Sequence, residues 1–178
     1  VAVRRQRQMC IRDSYIAITG SAGKTSVKDL TGFCLDKLDK TYYSKNSFNN
    51  KYGVPLSIIN SPQSTKFSVL EVGMDKKGEI DTLTKLIRPN LGLITNISYA
   101  HIKNFKNIDE IAKAKSEIIN NIFPSGVMII NKDDKYCNYF ISKAKMRNLN
   151  IISFSKKNKL ADVVYLGERK NRNKFLCK

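Results

Sequence analysis

Gly20-Ser21-Ala22-Gly23-Lys24-Thr25-Ser26 is the stretch whose residue types and spacing speak most directly of chemistry. Glycines at both ends let the backbone approach a ligand with no Cβ in the way. Lys24 brings a point charge, and Thr25 brings a hydroxyl of the kind that binds Mg²⁺. Where such a turn opens a helix, its N–H groups face outward and the helix dipole favours an anion. The chemistry is the cradling of a nucleotide phosphate, with Gly20, Ser21, Ala22, Gly23, Lys24, Thr25 and Ser26 as the cradle. The spacing departs from the usual P-loop, because only Ser21 and Ala22 separate the two glycines instead of four residues. A capped βα turn of no function is the plain alternative, and a strand before it with a helix after it argues for nucleotide.

Three more residues have types that could serve such a site. Glu71 ends the apolar run Phe67-Ser68-Val69-Leu70, where a carboxylate without a partner is costly to bury. A Mg²⁺ shared by Glu71, Thr25 and ATP oxygens fits the hard-ion preference for oxygen; an ion pair with one of the many lysines is the structural alternative. His101, the only histidine, comes directly after Asn96-Ile97-Ser98-Tyr99-Ala100, and an isolated histidine is ordinarily a polar loop residue. Lys115 lies in Ala112-Lys113-Ala114-Lys115-Ser116-Glu117, and nothing in the spacing separates it from Lys113.

The elements that must position these residues can be read from hydrophobic periodicity. Tyr15 to Thr19 reads as a buried strand. Val27, Leu30, Phe33, Cys34, Leu35 and Leu38 predict a helix from about Lys24 to Leu38. Strands are expected at 41–43, 67–71, 91–95, 126–130 and 150–154, and helices at 53–59, 78–86, 108–122 and 133–147. Asp162 to Leu166 begins a further strand. This alternation predicts an α/β fold, a mostly parallel sheet flanked by helices, of the P-loop nucleotide-binding type. Ligands of such sheets bind at the carboxyl ends of strands, where Gly20, Glu71 and Asn96 all fall.

The chain has 178 residues, enough for one domain with a core, and no apolar run approaches the ~20 residues of a membrane span. Its basic start lacks an apolar signal segment. Cys10, Cys34, Cys137 and Cys177 match neither zinc nor redox spacing, which together with the absent signal predicts a reduced, cytoplasmic protein. The net charge of +17 is spread along the chain with no stripe of arginine or interleaved aromatics, so nucleic acid is not the expected partner. Residues 1–14 carry four arginines and differ in composition from the lysine-rich remainder of the chain. They read as a non-native or disordered segment ahead of a domain at 15–178, with Asp13 or Ser14 just outside the first strand.

The strings ITGSAGKTSVKDL (18–30), NSFNNKYGVPLSIIN (46–60), EVGMDKKGEIDTL (71–83), ITNISYAHIKNF (94–105) and IAKAKSEI (111–118) occur in order. From about Tyr15 to Phe154 the chain resembles the central ATP-binding domain of the Mur ligases. FNNKYGVPL and EVGMDKKGEI favour the member that adds D-alanyl-D-alanine to a UDP-N-acetylmuramoyl peptide over other Mur ligases and folylpolyglutamate synthase. A basic nucleotide- or nucleic-acid-binding module is the alternative from another class.

The resemblance implies that ATP phosphorylates a carboxylate and that an amine then attacks the acyl phosphate. It implies triphosphate on Gly20 to Ser26, Lys24 on the transferred phosphoryl, and one Mg²⁺ on Thr25 and Glu71. A second metal would be held by His101 and by a carbamylated Lys115. Asn49 and Asn50 would contact substrate, and Asn96 substrate or nucleotide. Such ligases have three domains and are expected to act as monomers. The UDP-binding N-terminal domain and the closing C-terminal domain are not represented in this sequence, so these residues alone are not expected to turn over.

Overall fold

The computed structural model describes residues 14–44, 46–99, 104–171 and 174–177. Its sheet grows outward from β1 (Ser14–Thr19), which pairs in parallel with β3 (Phe67–Glu71) on one side and β4 (Leu91–Ile94) on the other. With β2 (Thr41–Tyr43), β5 (Val127–Asn131), β6 (Asn150–Ser155) and β7 (Val163–Val164), the order is β2-β3-β1-β4-β5-β6-β7, and every pairing is parallel. β8 (Glu168–Asn171) and β9 (Lys174–Cys177) pair antiparallel in a separate two-stranded sheet.

Parallel strands need crossovers, and helices supply them: α1 (Lys24–Leu35), α2 (Gly53–Asn60), α3 (Glu79–Ile87), α4 (Ile108–Lys115) and α5 (Cys137–Met146). The alternation of side chains along β1 divides the core. Ile16 and Ile18 join Val69, Val27 and Leu35 beneath α1. Tyr15 and Ala17 face the other way, into a larger cluster with Leu70, Ile94, Met128 and Ile130 and the inner faces of α3, α4 and α5. Each fully buried isoleucine or leucine here contributes roughly 1.5–3 kcal/mol relative to exposure.

The predicted α/β architecture is therefore what forms, with local differences. Ser14 is the first residue of β1, because its N–H donates to Lys66 O. α1 stops at Leu35 instead of Leu38, and the N–H groups of Lys37, Leu38 and Asp39 close tight turns onto Cys34 and Leu35. Its buried face also differs: Leu30, Phe33, Cys34 and Leu38 are exposed, while Lys28 and Gly32 lie inward. Gly32 meets the Tyr43 ring, where an added Cβ would come within 2.3 Å; the missing side chain lets helix and strand approach.

The helix expected over 108–122 is α4 continued by a 3₁₀ segment, Ser116–Asn121. α5 starts at Cys137 and not Asp133, because Asp133 and Asp134 are occupied elsewhere. Asp133 accepts from Ser155 Oγ and Lys156 N, and Asp134 from Ile97 N and Tyr136 N. Of Asp162 to Leu166, only Val163–Val164 is strand; Asp162 instead accepts from Ser153 N and Oγ. Among the described residues no helix is long and apolar enough to cross a membrane.

Candidate active site

β1 ends at Thr19 and the chain turns at once through Gly20 to Gly23 into α1. Two features make those positions glycine. Gly20 has φ 150°, and a Cβ there would stand 1.8 Å from Thr95 Oγ1. Gly23, the residue before α1, has φ 77° in the left-handed region. The turn is tied to the end of β4: Ser21 N donates to Asn96 O (2.9 Å), Ala22 N to Asn96 Oδ1 (3.0 Å), and Thr95 Oγ1 to Ala22 O (2.6 Å). Ser21 Oγ donates to Ser98 O at 3.0 Å and accepts from Ser98 N at 2.9 Å. Asn96 thus holds the loop in shape.

With those amides engaged, the first turn of α1 offers the N–H groups of Lys24, Thr25 and Ser26, which have no intrahelical acceptor. Their direction and the helix dipole suit a phosphate. Lys24 folds back over the loop, its ammonium donating to Gly20 O at 3.0 Å.

Glu71, at the end of β3, is 1% exposed. Oε2 accepts from Thr25 Oγ1 at 2.7 Å and Oε1 from Asn49 Nδ2 at 2.7 Å. Both partners are neutral, and the ion pairs among the described residues, Lys28–Asp29 and Lys85–Asp81, do not involve Glu71. The structural alternative of a lysine paired with Glu71 is therefore not seen among the described residues. A buried carboxylate and a hydroxyl in contact beside a phosphate cradle are hard oxygen donors suited to Mg²⁺ shared with phosphate. Among the described residues no group of three His, Cys, Asp or Glu side chains converges.

Asn49 reaches Glu71 because its carbonyl accepts from Gly73 N at 2.7 Å, just past β3. Ser47 Oγ lies 3.3 Å from Thr25 Oγ1. Asn50 is engaged differently, because its Oδ1 accepts from Tyr52 N and Gly53 N at the start of α2. Asn49 is thus placed at the expected metal carboxylate, and Asn50 at a helix end.

Lys115 closes α4 and is 1% exposed, whereas Lys113 is exposed. Burial pushes the Lys115 ammonium down from 10.5 to about 7, and the nearby Lys24 charge pushes the same way. That repulsion places the two lysines in one electrostatic neighbourhood. The turn after Lys115 is pinned by Glu117, whose carboxylate accepts from Gly78 N at 2.9 and 3.1 Å and from Asp81 N at 3.2 Å. It caps the N-terminus of α3, where a negative charge is favoured. His101 lies outside the described residues.

Residues 18–176 match the family described as the Mur ligase middle domain. The chain belongs to that family. The UDP-N-acetylmuramoyl-tripeptide–D-alanyl-D-alanine ligase of Buchnera aphidicola subsp. Baizongia pistaciae is 40% identical over 144 residues, 80% of this chain and 31% of that relative. A crystal structure of MurF from Acinetobacter baumannii superposes with a TM-score of 0.85 at 33% identity, over 92% of this chain and 35% of that one. A MurF ligase from Thermotoga maritima in complex with ADP gives a TM-score of 0.81 at 23% identity, a likeness of fold, over 99% of this chain and 40% of that one. The chain spans about a third of the length of the curated relatives it matches.

Within this middle domain, several site neighbours went unmarked in the sequence: Thr95, Ser98, Ser47 and Lys28. A signal existed for Lys28, a charged residue four positions beyond Lys24 and so on the same face of α1. Serine and threonine in polar loops carry no comparable mark.

Proposed function

We propose that this domain is the ATP-binding core of a ligase that joins D-alanyl-D-alanine to a UDP-N-acetylmuramoyl tripeptide in peptidoglycan precursor synthesis. The observation that carries the reading is the buried Glu71 carboxylate against Thr25 at the mouth of the Gly20–Ser26 loop. The similarity to D-alanyl-D-alanine ligases supports the substrate assignment, and the ADP bound to the Thermotoga maritima protein supports the nucleotide.

In this reading the substrate carboxylate attacks the γ-phosphorus of ATP, the bond to the bridging oxygen breaks, and ADP leaves. The amine of D-alanyl-D-alanine then adds to the acyl phosphate, and the tetrahedral adduct collapses to amide and phosphate with loss of a proton. The work is positioning and neutralisation of charge. The N–H groups of Lys24, Thr25 and Ser26 cradle the phosphates, and Lys24 moves from Gly20 O to the transferred phosphoryl. Thr25 and Glu71 would hold Mg²⁺, and the ion would supply charge neutralisation at the phosphates. Asn49 orients Glu71, and Asn96 keeps the loop in shape.

Lys115 is carbamylated in this reading. With its pKa at about 7 a substantial share of the side chain is a neutral amine near neutral pH. The neutral nitrogen adds to CO₂ and loses one proton, giving a carbamate whose oxygens would hold a second metal with His101. The full enzyme works as a monomer in the cytoplasm, where the UDP-linked precursor is made.

Calorimetric titration with Mg²⁺ and a non-hydrolysable ATP analogue tests the reading, on the unmodified chain and on Lys24→Ala, with a DNA oligonucleotide as a further titrant. Mg²⁺-dependent nucleotide binding lost in Lys24→Ala is the expected result. Tight, salt-sensitive DNA binding with no nucleotide binding would overturn the reading.

A further inference from the structure

Lys28 has no place in the phosphate chemistry, yet its side chain is 0% exposed, one turn beyond Lys24 on α1. A buried ammonium is tolerated only when paired and hydrogen-bonded. Here it donates to the carbonyl of Ser44 and, at 2.9 Å, to that of Asn46, and it lies 3.1 Å from Asp29 Oδ1. An apolar side chain would pack α1 on the sheet without this demand. What the charge adds is a hold on one segment of backbone.

That segment runs from β2 to the site. Past Asn46 it delivers Ser47 Oγ to 3.3 Å from Thr25 Oγ1 and Asn49 Nδ2 to 2.7 Å from Glu71 Oε1. Its far end is fixed to β3 by the bond from Gly73 N to Asn49 O, 2.7 Å. The segment is therefore anchored on α1 by Lys28 and on the end of β3 by Gly73, and between these anchors it touches both Thr25 and Glu71.

We propose that Lys28 is a positioning residue that acts through the Ser44–Asn50 segment, and through Asn49 above all, to set the Glu71 carboxylate and Thr25 hydroxyl for a divalent cation. The inference rests on the reading of Thr25 and Glu71 as the metal pair. Groups that orient a metal ligand change metal affinity by about 10- to 100-fold when removed, and Lys28 stands one link further out than Asn49.

The probe is Mn²⁺, whose free fraction is read by electron paramagnetic resonance in the presence of a non-hydrolysable ATP analogue. The chains are unmodified, Lys28→Met, Lys28→Gln, Asn49→Ala, the Lys28→Met/Asn49→Ala double variant and Glu71→Gln, with melting measured for each. Lys28→Met and Asn49→Ala are each expected to weaken Mn²⁺ by about tenfold or more. The double variant should be no weaker than the worse single one, because the two act in series.

Native Mn²⁺ affinity in Lys28→Met with only a lowered melting temperature overturns the proposal, as do additive losses. Should Lys28→Met fail to fold, Lys28→Gln asks the same question with one amide donor kept. Native affinity in Asn49→Ala overturns the proposal without either, since Lys28 would have nothing to act through. Glu71→Gln separates the layers. If it binds Mn²⁺ as the unmodified chain does, or if the unmodified chain binds none, the metal reading itself falls. If it alone loses Mn²⁺, the metal reading stands and the role of Lys28 falls.

Discussion

Replacing Lys115 by methionine should make the domain more stable, by an amount that depends on pH. Methionine keeps most of the apolar stem and volume and removes the ionisable nitrogen. Lys115 is 1% exposed and takes no part in the ion pairs found among the described residues. Its pKa falls from 10.5 to about 7, first through burial and second through Lys24. A base whose pKa is lower folded than unfolded destabilises the fold wherever the unfolded chain holds the proton more tightly. The penalty is complete below about pH 7 and fades as pH rises toward 10.5. Each unit of pKa is worth about 1.4 kcal/mol, so the penalty is roughly 5 kcal/mol at pH 6 and roughly 2 kcal/mol at pH 9. Urea unfolding of Lys115→Met and the unmodified chain in CO₂-free, metal-free buffer at those two pH values is the assay. The variant should be the more stable at both, with the gap narrowing by roughly 2–3 kcal/mol between them. The difference between variants cancels groups that both share, such as Tyr136, whose hydroxyl is pushed up to about 12 by burial and by Asp109. A gap that does not change with pH, or a less stable variant, would refute the account of an amine whose charge is opposed by burial and by Lys24.

The same amine should take up ¹³CO₂, giving a carbamate carbon resonance in the unmodified chain above neutral pH that is absent in Lys115→Met; no Lys115-dependent signal would count against carbamylation. Gly20→Ala should destabilise by about 1–3 kcal/mol or more, because its Cβ would sit 1.8 Å from Thr95 Oγ1 at φ 150°; a melting temperature equal to that of the unmodified chain would contradict this. Asn96→Ala should cost about 0.5–1.5 kcal/mol in stability and weaken nucleotide binding more than that, since the loop loses its bond from Ala22 N; unchanged affinity by calorimetry would show that the loop holds its shape without Asn96.

The architecture was legible because it rests on local patterns. Alternation along Tyr15–Thr19, a glycine turn and repeated strand–helix spacing suffice for a parallel sheet with Gly20, Glu71 and Asn96 at neighbouring strand ends, and those are the ends that meet. Helix limits were less legible where distant partners decide them. Asp133 and Asp134 look like the opening of a helix, but Ser155, Lys156 and Ile97 claim their carboxylates. The inward face of α1 was not legible for a related reason. Of its regularly spaced apolar residues Val27 and Leu35 pack on the sheet, while contacts with Tyr43, Ser44 and Asn46 place Gly32 and Lys28 inside beside them.

Two buried lysines show where sequence reading stops and three-dimensional chemistry begins. In the sequence Lys28 is an unremarked member of a lysine-rich chain, and Lys115 is set apart from Lys113 only by the resemblance to the Mur ligases, not by its own spacing. In the fold both are enclosed, but their surroundings differ. Lys28 has two carbonyls and Asp29 around its ammonium, so its charge is satisfied and serves as an anchor. Lys115 has burial and the repulsion of Lys24, which lower its pKa to about 7, so that a share of the side chain is neutral amine able to react near neutral pH. The difference is made by residues far away in the chain: Ser44 and Asn46 for Lys28, and Lys24 for Lys115, with Glu117 fixing the turn beside it against α3. A lysine whose charge is opposed by burial and by a like charge is stabilised by giving up its proton. Lys28→Met is therefore expected to release a segment of backbone, and Lys115→Met to relieve a strained charge.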